Sequence, residues 1–126
     1  MKTTLFVLLI SSCSINISTK CSDLKTGKFK LVSEESGTTI ITRTAKEQVE
    51  INKDFNVKVR YKVKWLNACT YQLFDAKIYE GDDYFEGKKT DTLTVKITEI
   101  SNDFYKISTT SNFSDLSLEV KLAIIK

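Results

Sequence analysis

The chain of 126 residues contains no histidine and no proline, and it has only three cysteines, four glycines and one tryptophan. The absence of histidine excludes His-based catalytic triads, histidine general bases and His-liganded zinc or haem sites. Long apolar runs are also missing, because the run at residues 5–10 is far shorter than the roughly 20 residues of a membrane-spanning helix. The net charge of +3, from 19 Lys and Arg against 16 Asp and Glu, lacks the concentrated positive charge of a dedicated nucleic-acid binder.

The overall composition is that of an ordinary globular protein, with 41% hydrophobic and 28% charged residues. A chain of this length supports one domain at most, since independent cores usually need on the order of 100 residues each.

The N-terminus has the three-part pattern of a secretory signal: Lys2, the apolar run at residues 5–10, and small residues before Cys13. The segment Ile-Ser-Ser-Cys that ends at Cys13 resembles a bacterial lipobox. This resemblance implies cleavage before Cys13 and lipidation of that cysteine, which becomes the mature N-terminus. The alternative is cleavage by ordinary signal peptidase between Ser12 and Lys20, which releases a soluble protein.

If Cys13 carries lipid, two cysteines remain and can pair with each other. In an oxidising compartment, Cys21 and Cys69 are expected to form a structural disulfide, which closes a loop of about 48 residues and contributes on the order of 4 kcal/mol. A functional thiol pair is the alternative, although Cys-x-x-Cys spacing and a neighbouring histidine are both missing. The expected organisation is a signal peptide at residues 1–12, a lipidated tether at residues 13–20 and one domain at residues 21–126.

Alternation of apolar and polar residues with period two runs through the chain from Lys28 onward and predicts an all-β domain. Tight-turn residues such as Gly, Asn, Asp and Ser separate the runs, so the arrangement favours an antiparallel meander that closes into a small barrel, with a two-layer sandwich as the alternative. A brief helical turn is predicted at residues 82–85. The eight predicted strands cover residues 28–33, 38–44, 48–52, 57–65, 70–80, 92–100, 104–109 and 116–124.

Two short motifs carry a resemblance to a known group of proteins. They are Lys-Thr-Gly-Lys-Phe, which ends at Phe29, and Trp-x-x-x-Cys-x-Tyr-x-Leu, which spans residues 65–73. Together with the lipobox, they resemble a family of small uncharacterised lipoproteins of Bacteroidetes-type bacteria. The resemblance implies a lipocalin-like β-barrel in which Cys21 and Cys69 are joined, and it implies no established activity.

Apolar residues whose place in the strand alternation turns them toward the barrel interior are candidates for the lining of a ligand cavity. An eight-stranded barrel is either just filled by its own side chains or just wide enough for one small ligand, so core packing is the alternative. The candidate lining residues are Phe29, Tyr61, Trp65, Tyr71, Leu93 and Leu118.

Two sets of charged residues are candidate binding sites. Alternate residues of the fourth strand are cationic and suit a polyanion, but the pattern favours a solvated strand face, because the aromatic residues between them point to the other side of the strand. Four carboxylates between residues 80 and 86 offer oxygen ligands for calcium, although their spacing departs from that of an EF-hand loop. The two groups are Lys58, Arg60, Lys62 and Lys64, and Glu80, Asp82, Asp83 and Glu86.

These observations predict a lipid-anchored β-domain of the cell envelope that binds a small apolar ligand or a protein partner. We expect no catalysis, no cofactor, no metal and no nucleic-acid partner, and we expect a monomer held to the membrane by its N-terminal lipid. The predicted location is the periplasmic face of the outer membrane, with a soluble periplasmic or secreted protein as the alternative. A structural, envelope-association protein with a filled core is the alternative function, and an enzyme of unknown type is a distant third.

Overall fold

The computed structural model describes residues 19–126. This part of the chain forms a short 3₁₀ turn, Cys21–Leu24, followed by nine antiparallel β-strands. The strands are β1 (Gly27–Ser33), β2 (Gly37–Arg43), β3 (Glu47–Asn52), β4 (Val57–Asn67), β5 (Thr70–Glu80), β6 (Asp83–Glu86), β7 (Thr92–Ile100), β8 (Phe104–Ser111) and β9 (Leu118–Ile125).

Eight of these strands form a closed barrel. The strand order is β4-β3-β2-β1-β9-β8-β7-β5-β6, and pairing between β4 and β5 closes the cylinder. The remaining strand, β6, pairs with β5 alone and forms a hairpin with it outside the barrel. The sequence prediction of an all-β barrel built from a meander is therefore confirmed.

The strands follow from the period-two pattern because successive side chains point to opposite faces of a sheet. In β4, Val63 is buried while its neighbours Lys62 and Lys64 are exposed. In β7, Val95 and Ile97 are buried and Lys96 between them is exposed. One face of each strand therefore supplies the barrel interior, and the other is in solvent.

The two ends of the barrel differ. The 3₁₀ turn covers the end at which β1 begins and β2 ends, and its Leu24 side chain is only 1% exposed. We call this the closed end. The opposite end, which we call the mouth, is surrounded by the turns at residues 34–36 and 53–56 and by the connection at residues 112–117.

The prediction of a helical turn at residues 82–85 was wrong, because this segment forms β6. Each residue from Asp83 to Glu86 pairs with a residue of β5, from Glu80 back to Lys77. Pairing with β5 gives this segment its extended conformation, which agrees with the strand preference of Tyr84 and Phe85. Within residues 19–126, no helix is both long and apolar enough to cross a membrane.

Candidate functional site

The barrel interior is filled near the closed end and holds a cavity of about 160 Å³ farther toward the mouth. Most of the cavity wall is aliphatic, and its polar groups come from five residues. The aliphatic wall consists of Leu31, Ile41, Leu73, Leu93, Val95, Ile107, Leu118, Val120 and Leu122, and the polar residues are Gln48, Glu50, Tyr61, Tyr71 and Thr109.

Arg43 fills the closed end below the cavity and is only 1% exposed. Its guanidinium carbon lies 4.7 Å from the ring centre of Phe29 and 4.5 Å from that of Tyr71, so the cation is packed against two aromatic faces. Its Nη1 donates to the carbonyl oxygen of Leu24 at 2.6 Å, and its Nη2 donates to the hydroxyls of Tyr71 and Tyr105 at 2.9 and 3.1 Å. Hydrogen bonds thus compensate much of the desolvation of this buried charge.

A directional row of hydrogen bonds leads from Arg43 into the cavity. The Nε of Arg43 donates to Oε1 of Gln48 at 2.8 Å, and Nε2 of Gln48 donates to Oε2 of Glu50 at 2.7 Å. Because a guanidinium only donates and an ionised carboxylate only accepts, the orientation of the Gln48 amide is determined by its two neighbours. Gln48 therefore links the buried cation to a carboxylate in the cavity wall.

Burial changes the protonation of the acidic groups in this interior. Desolvation raises the pKa of Glu50, while the Gln48 hydrogen bond and the charge of Arg43 lower it by smaller amounts. Desolvation, together with the nearby charge of Glu50, also raises the pKa of Tyr61. The pKa values of Tyr71 and Tyr105 are raised mainly by burial, so all three phenols stay neutral at physiological pH.

A second hollow, of about 280 Å³, lies between Glu50 and the mouth. Its lining includes Asn52 and the exposed ring of Phe55, and Glu50 borders both this hollow and the inner cavity. Leu118 lies at the other side of the mouth, where its side chain both lines the inner cavity and is 61% exposed. The hollow that leads from solvent to Glu50 therefore has both apolar and polar walls.

The predicted lining residues divide between the two halves of the barrel. Tyr61, Tyr71, Leu93 and Leu118 line the inner cavity. Phe29 instead packs edge-on against Tyr105 at 5.2 Å beneath Arg43, and Trp65 packs against Tyr71 at 4.6 Å near the closed end. These two aromatic residues support the lower half of the barrel.

The predicted disulfide between Cys21 and Cys69 is present, with the two Cα atoms 5.3 Å apart. It joins the 3₁₀ turn to the connection between β4 and β5, so the covalent link holds the N-terminal segment at the closed end. Cys13, the predicted lipidation site, lies outside the described residues, as do the predicted signal peptide and most of the tether.

The cationic stripe of β4 lies on the outer face of the barrel and is partly neutralised. Asp75 on β5 forms ion pairs with Lys62 at 3.1 Å and with Lys77 at 3.6 Å. The hydrogen bond from Lys62 is the main reason that the pKa of Asp75 lies below its usual range, and the charge of Lys77 adds to the effect. These pairs favour the interpretation of the stripe as a solvated strand face.

The acidic residues between 80 and 86 lie along the β5–β6 hairpin. Across residues 19–126, no three Asp, Glu or Cys side chains converge as the ligands of a metal ion would. In this hairpin the Tyr84 hydroxyl donates to a carboxylate oxygen of Glu86 at 3.0 Å.

Sequence reasoning missed the polar row of Arg43, Gln48 and Glu50. The pairing of β2 with β3 could have revealed this row. It places Arg43 opposite Gln48 and Ile41 opposite Glu50, so the four side chains lie on one face of the sheet. That face is inward because Ile41 is buried.

Comparisons of the sequence with protein-family models and with curated proteins, and of the structure with solved structures, gave no match.

Proposed function

We propose that this domain binds one small, mainly apolar molecule inside the barrel, without catalysing a reaction on it. The observation that carries the proposal is the cavity of about 160 Å³ above a well-packed closed end. Unfilled apolar volume costs a protein on the order of 20 cal/mol per Å³, so a cavity retained beside a dense core is typical of a binding site. The alternative of a barrel filled by its own side chains has less support.

The volume of the cavity limits the size of the ligand. Drug-sized ligands occupy pockets of about 300–1,000 Å³, whereas an apolar cavity of about 150 Å³ accepts a benzene ring. We therefore propose a ligand with a body the size of a six-carbon ring or chain. The hollow at the mouth provides room for a longer molecule to extend past Phe55.

A titration of the purified protein with 1-hexanol, followed by NMR chemical shifts, tests the proposal. We expect saturable shifts at cavity residues such as Leu93 and Thr109. Val95→Phe extends a side chain into the cavity and should abolish the shifts. Val32→Phe is the matched control, because Val32 is 66% exposed and the added ring stays in solvent.

Equal saturation by wild type and Val95→Phe, or no saturable binding to a folded wild type, contradicts the proposal. Native mass spectrometry of the same preparation adds a second measurement, since a co-purified small molecule supports a ligand-binding barrel. A clean unliganded mass without hexanol binding favours the structural, envelope-association protein instead.

We further propose that the protein is a lipoprotein of the Bacteroidetes type, anchored through Cys13 at the periplasmic face of the outer membrane. The lipobox pattern supports this, and the Cys21–Cys69 disulfide fits an oxidising compartment. Thr19 donates a hydrogen bond to Asn102 in the β7–β8 turn, so the tether joins the barrel at its closed end. Labelled palmitate should enter wild type and not Cys13→Ala, and equal labelling of both contradicts the anchor.

A further inference from the structure

The cavity wall contains one acidic side chain, that of Glu50. Glu50 faces inward from the middle of β3, opposite Ile41 of β2 and Val59 of β4. The other polar groups of the cavity wall are amide and hydroxyl groups, which are neutral. A ligand that enters this space therefore meets a single acidic side chain in a wall that is otherwise aliphatic or neutral and polar.

The protein supplies only part of the hydrogen bonds that the carboxylate of Glu50 can accept. Its Oε2 accepts the hydrogen bond from Gln48, and within residues 19–126 no other side chain donates to this group. The two oxygens of a carboxylate offer about four acceptor positions, so several of those of Glu50 remain open to a donor in the cavity. The raised pKa of Glu50, caused chiefly by desolvation, agrees with this geometry.

The buried cation beneath the cavity is not available to a ligand. Arg43 donates to Gln48, to the Leu24 carbonyl and to two tyrosine hydroxyls, and aromatic rings cover its guanidinium plane. It does not line the cavity. An anionic amphiphile would therefore bring its charge to Glu50 without reaching a compensating cation.

From this arrangement we propose that the cavity selects apolar molecules whose polar end donates a hydrogen bond, such as small amines or alcohols, and rejects carboxylates of the same size. The inference rests on the proposed function, since it assigns the ligand class of the same cavity. A donor placed at Glu50 completes the hydrogen bonding of the carboxylate, whereas a second carboxylate repels it.

Three probes of matched chain length test the selectivity: hexylamine, 1-hexanol and hexanoate. Their affinities are measured at neutral pH by calorimetry on the purified wild type, on Glu50→Gln and on Glu47→Gln. Glu47 lies on the same strand with its side chain exposed, so Glu47→Gln is the matched control for the loss of one acidic charge. Glu50→Leu, which removes the polar group altogether, is a second variant in case the introduced amide disturbs folding.

For wild type and Glu47→Gln, we expect hexylamine or 1-hexanol to bind about tenfold or more tightly than hexanoate, the size of effect expected from one hydrogen bond to a charged group. In Glu50→Gln and Glu50→Leu the difference should fall to within about threefold. Hexanoate binding to wild type as tightly as both donors, or a preference unchanged by both Glu50 variants, overturns the selectivity and leaves the cavity proposal standing. If none of the three probes binds a folded wild type, the proposed function itself fails.

Discussion

Leu24 and Arg43 are joined across the closed end of the barrel, where the Arg43 guanidinium donates to the Leu24 carbonyl oxygen at 2.6 Å. Through this bond a residue at the end of β2 holds the 3₁₀ turn over the barrel, and the Leu24 side chain is buried beneath it. The closed end is therefore maintained by a buried polar contact as well as by the nearby disulfide. Substitutions at Arg43 and at the two cysteines separate these contributions.

Arg43→Lys should lower the free energy of unfolding by about 2–4 kcal/mol, because lysine cannot reproduce the planar set of hydrogen bonds or the stacking on two rings. Urea denaturation followed by far-UV circular dichroism measures the loss. Arg60→Lys is the control on the outer barrel wall, because the Arg60 Nε is buried without a hydrogen-bond partner among the described residues and the substitution breaks no hydrogen bond at that atom. We expect the control to change stability by no more than about 0.5 kcal/mol, and equal effects at both sites would contradict a special role for Arg43.

Cys69→Ser should lower the free energy of unfolding by roughly 2–5 kcal/mol, because the disulfide with Cys21 restricts the unfolded chain. Cys21→Ser removes the same bond, so the double variant should lose little more than either single variant. Chemical denaturation of the three variants measures these values, and peptide mass spectrometry should find Cys21 and Cys69 alkylated only after reduction. Additive losses, or alkylation without reductant, would show that the two cysteines act separately.

Glu50→Gln should raise the stability of the unliganded protein at neutral pH, because the folded state holds Glu50 at a pKa above its usual 4.5. Below pH 4.5 the carboxyl is protonated in both states and its ionisation has no effect. As the pH rises from there through the folded-state pKa, the unfolded chain ionises first and wild type loses relative stability. The advantage of the variant should therefore be small near pH 4 and should grow toward neutrality.

Urea unfolding of both proteins across this pH range gives the difference directly. The tyrosines that face Glu50 do not interfere, since burial raises the pKa values of Tyr61, Tyr71 and Tyr105. Glu47→Gln, at an exposed position of the same strand, is the matched control for the loss of one acidic charge. A Glu50→Gln advantage that is constant with pH would mean that the gain does not come from ionisation.

Asp75 has a left-handed backbone conformation, with φ of 53°, at the irregularity where the register between β4 and β5 shifts. Asparagine tolerates this conformation, so Asp75→Asn should cost little stability, and that cost comes from the loss of partly exposed ion pairs. Asp75→Val should cost about 1–2 kcal/mol more, because a β-branched residue is strained there. Thermal and urea denaturation compare the two variants, and equal losses would place the effect in the ion pairs.

The strand β3 shows where a sequence pattern becomes ambiguous. Its alternation of Val49 and Ile51 with polar residues correctly predicts a strand, and the usual rule would direct these two apolar residues into the core. Instead Ile51 is 38% exposed, while Gln48 and Asn52 are buried and Glu50 lines the cavity. The pairing of β3 with β2 sets this phase, because a shift of one residue turns every side chain to the other face.

The sequence by itself determined the all-β class, the positions of eight strands and the pair of cysteines that forms the disulfide. These follow from the local alternation of apolar and polar residues, from the turn residues and from the number of cysteines, none of which depends on which strands become neighbours. Only the tertiary structure decided that β6 is a strand, that Arg43 closes one end of the barrel and that Glu50 faces its cavity. Each of these depends on hydrogen-bond register between strands, and register is fixed when the whole barrel closes and buries its inner face.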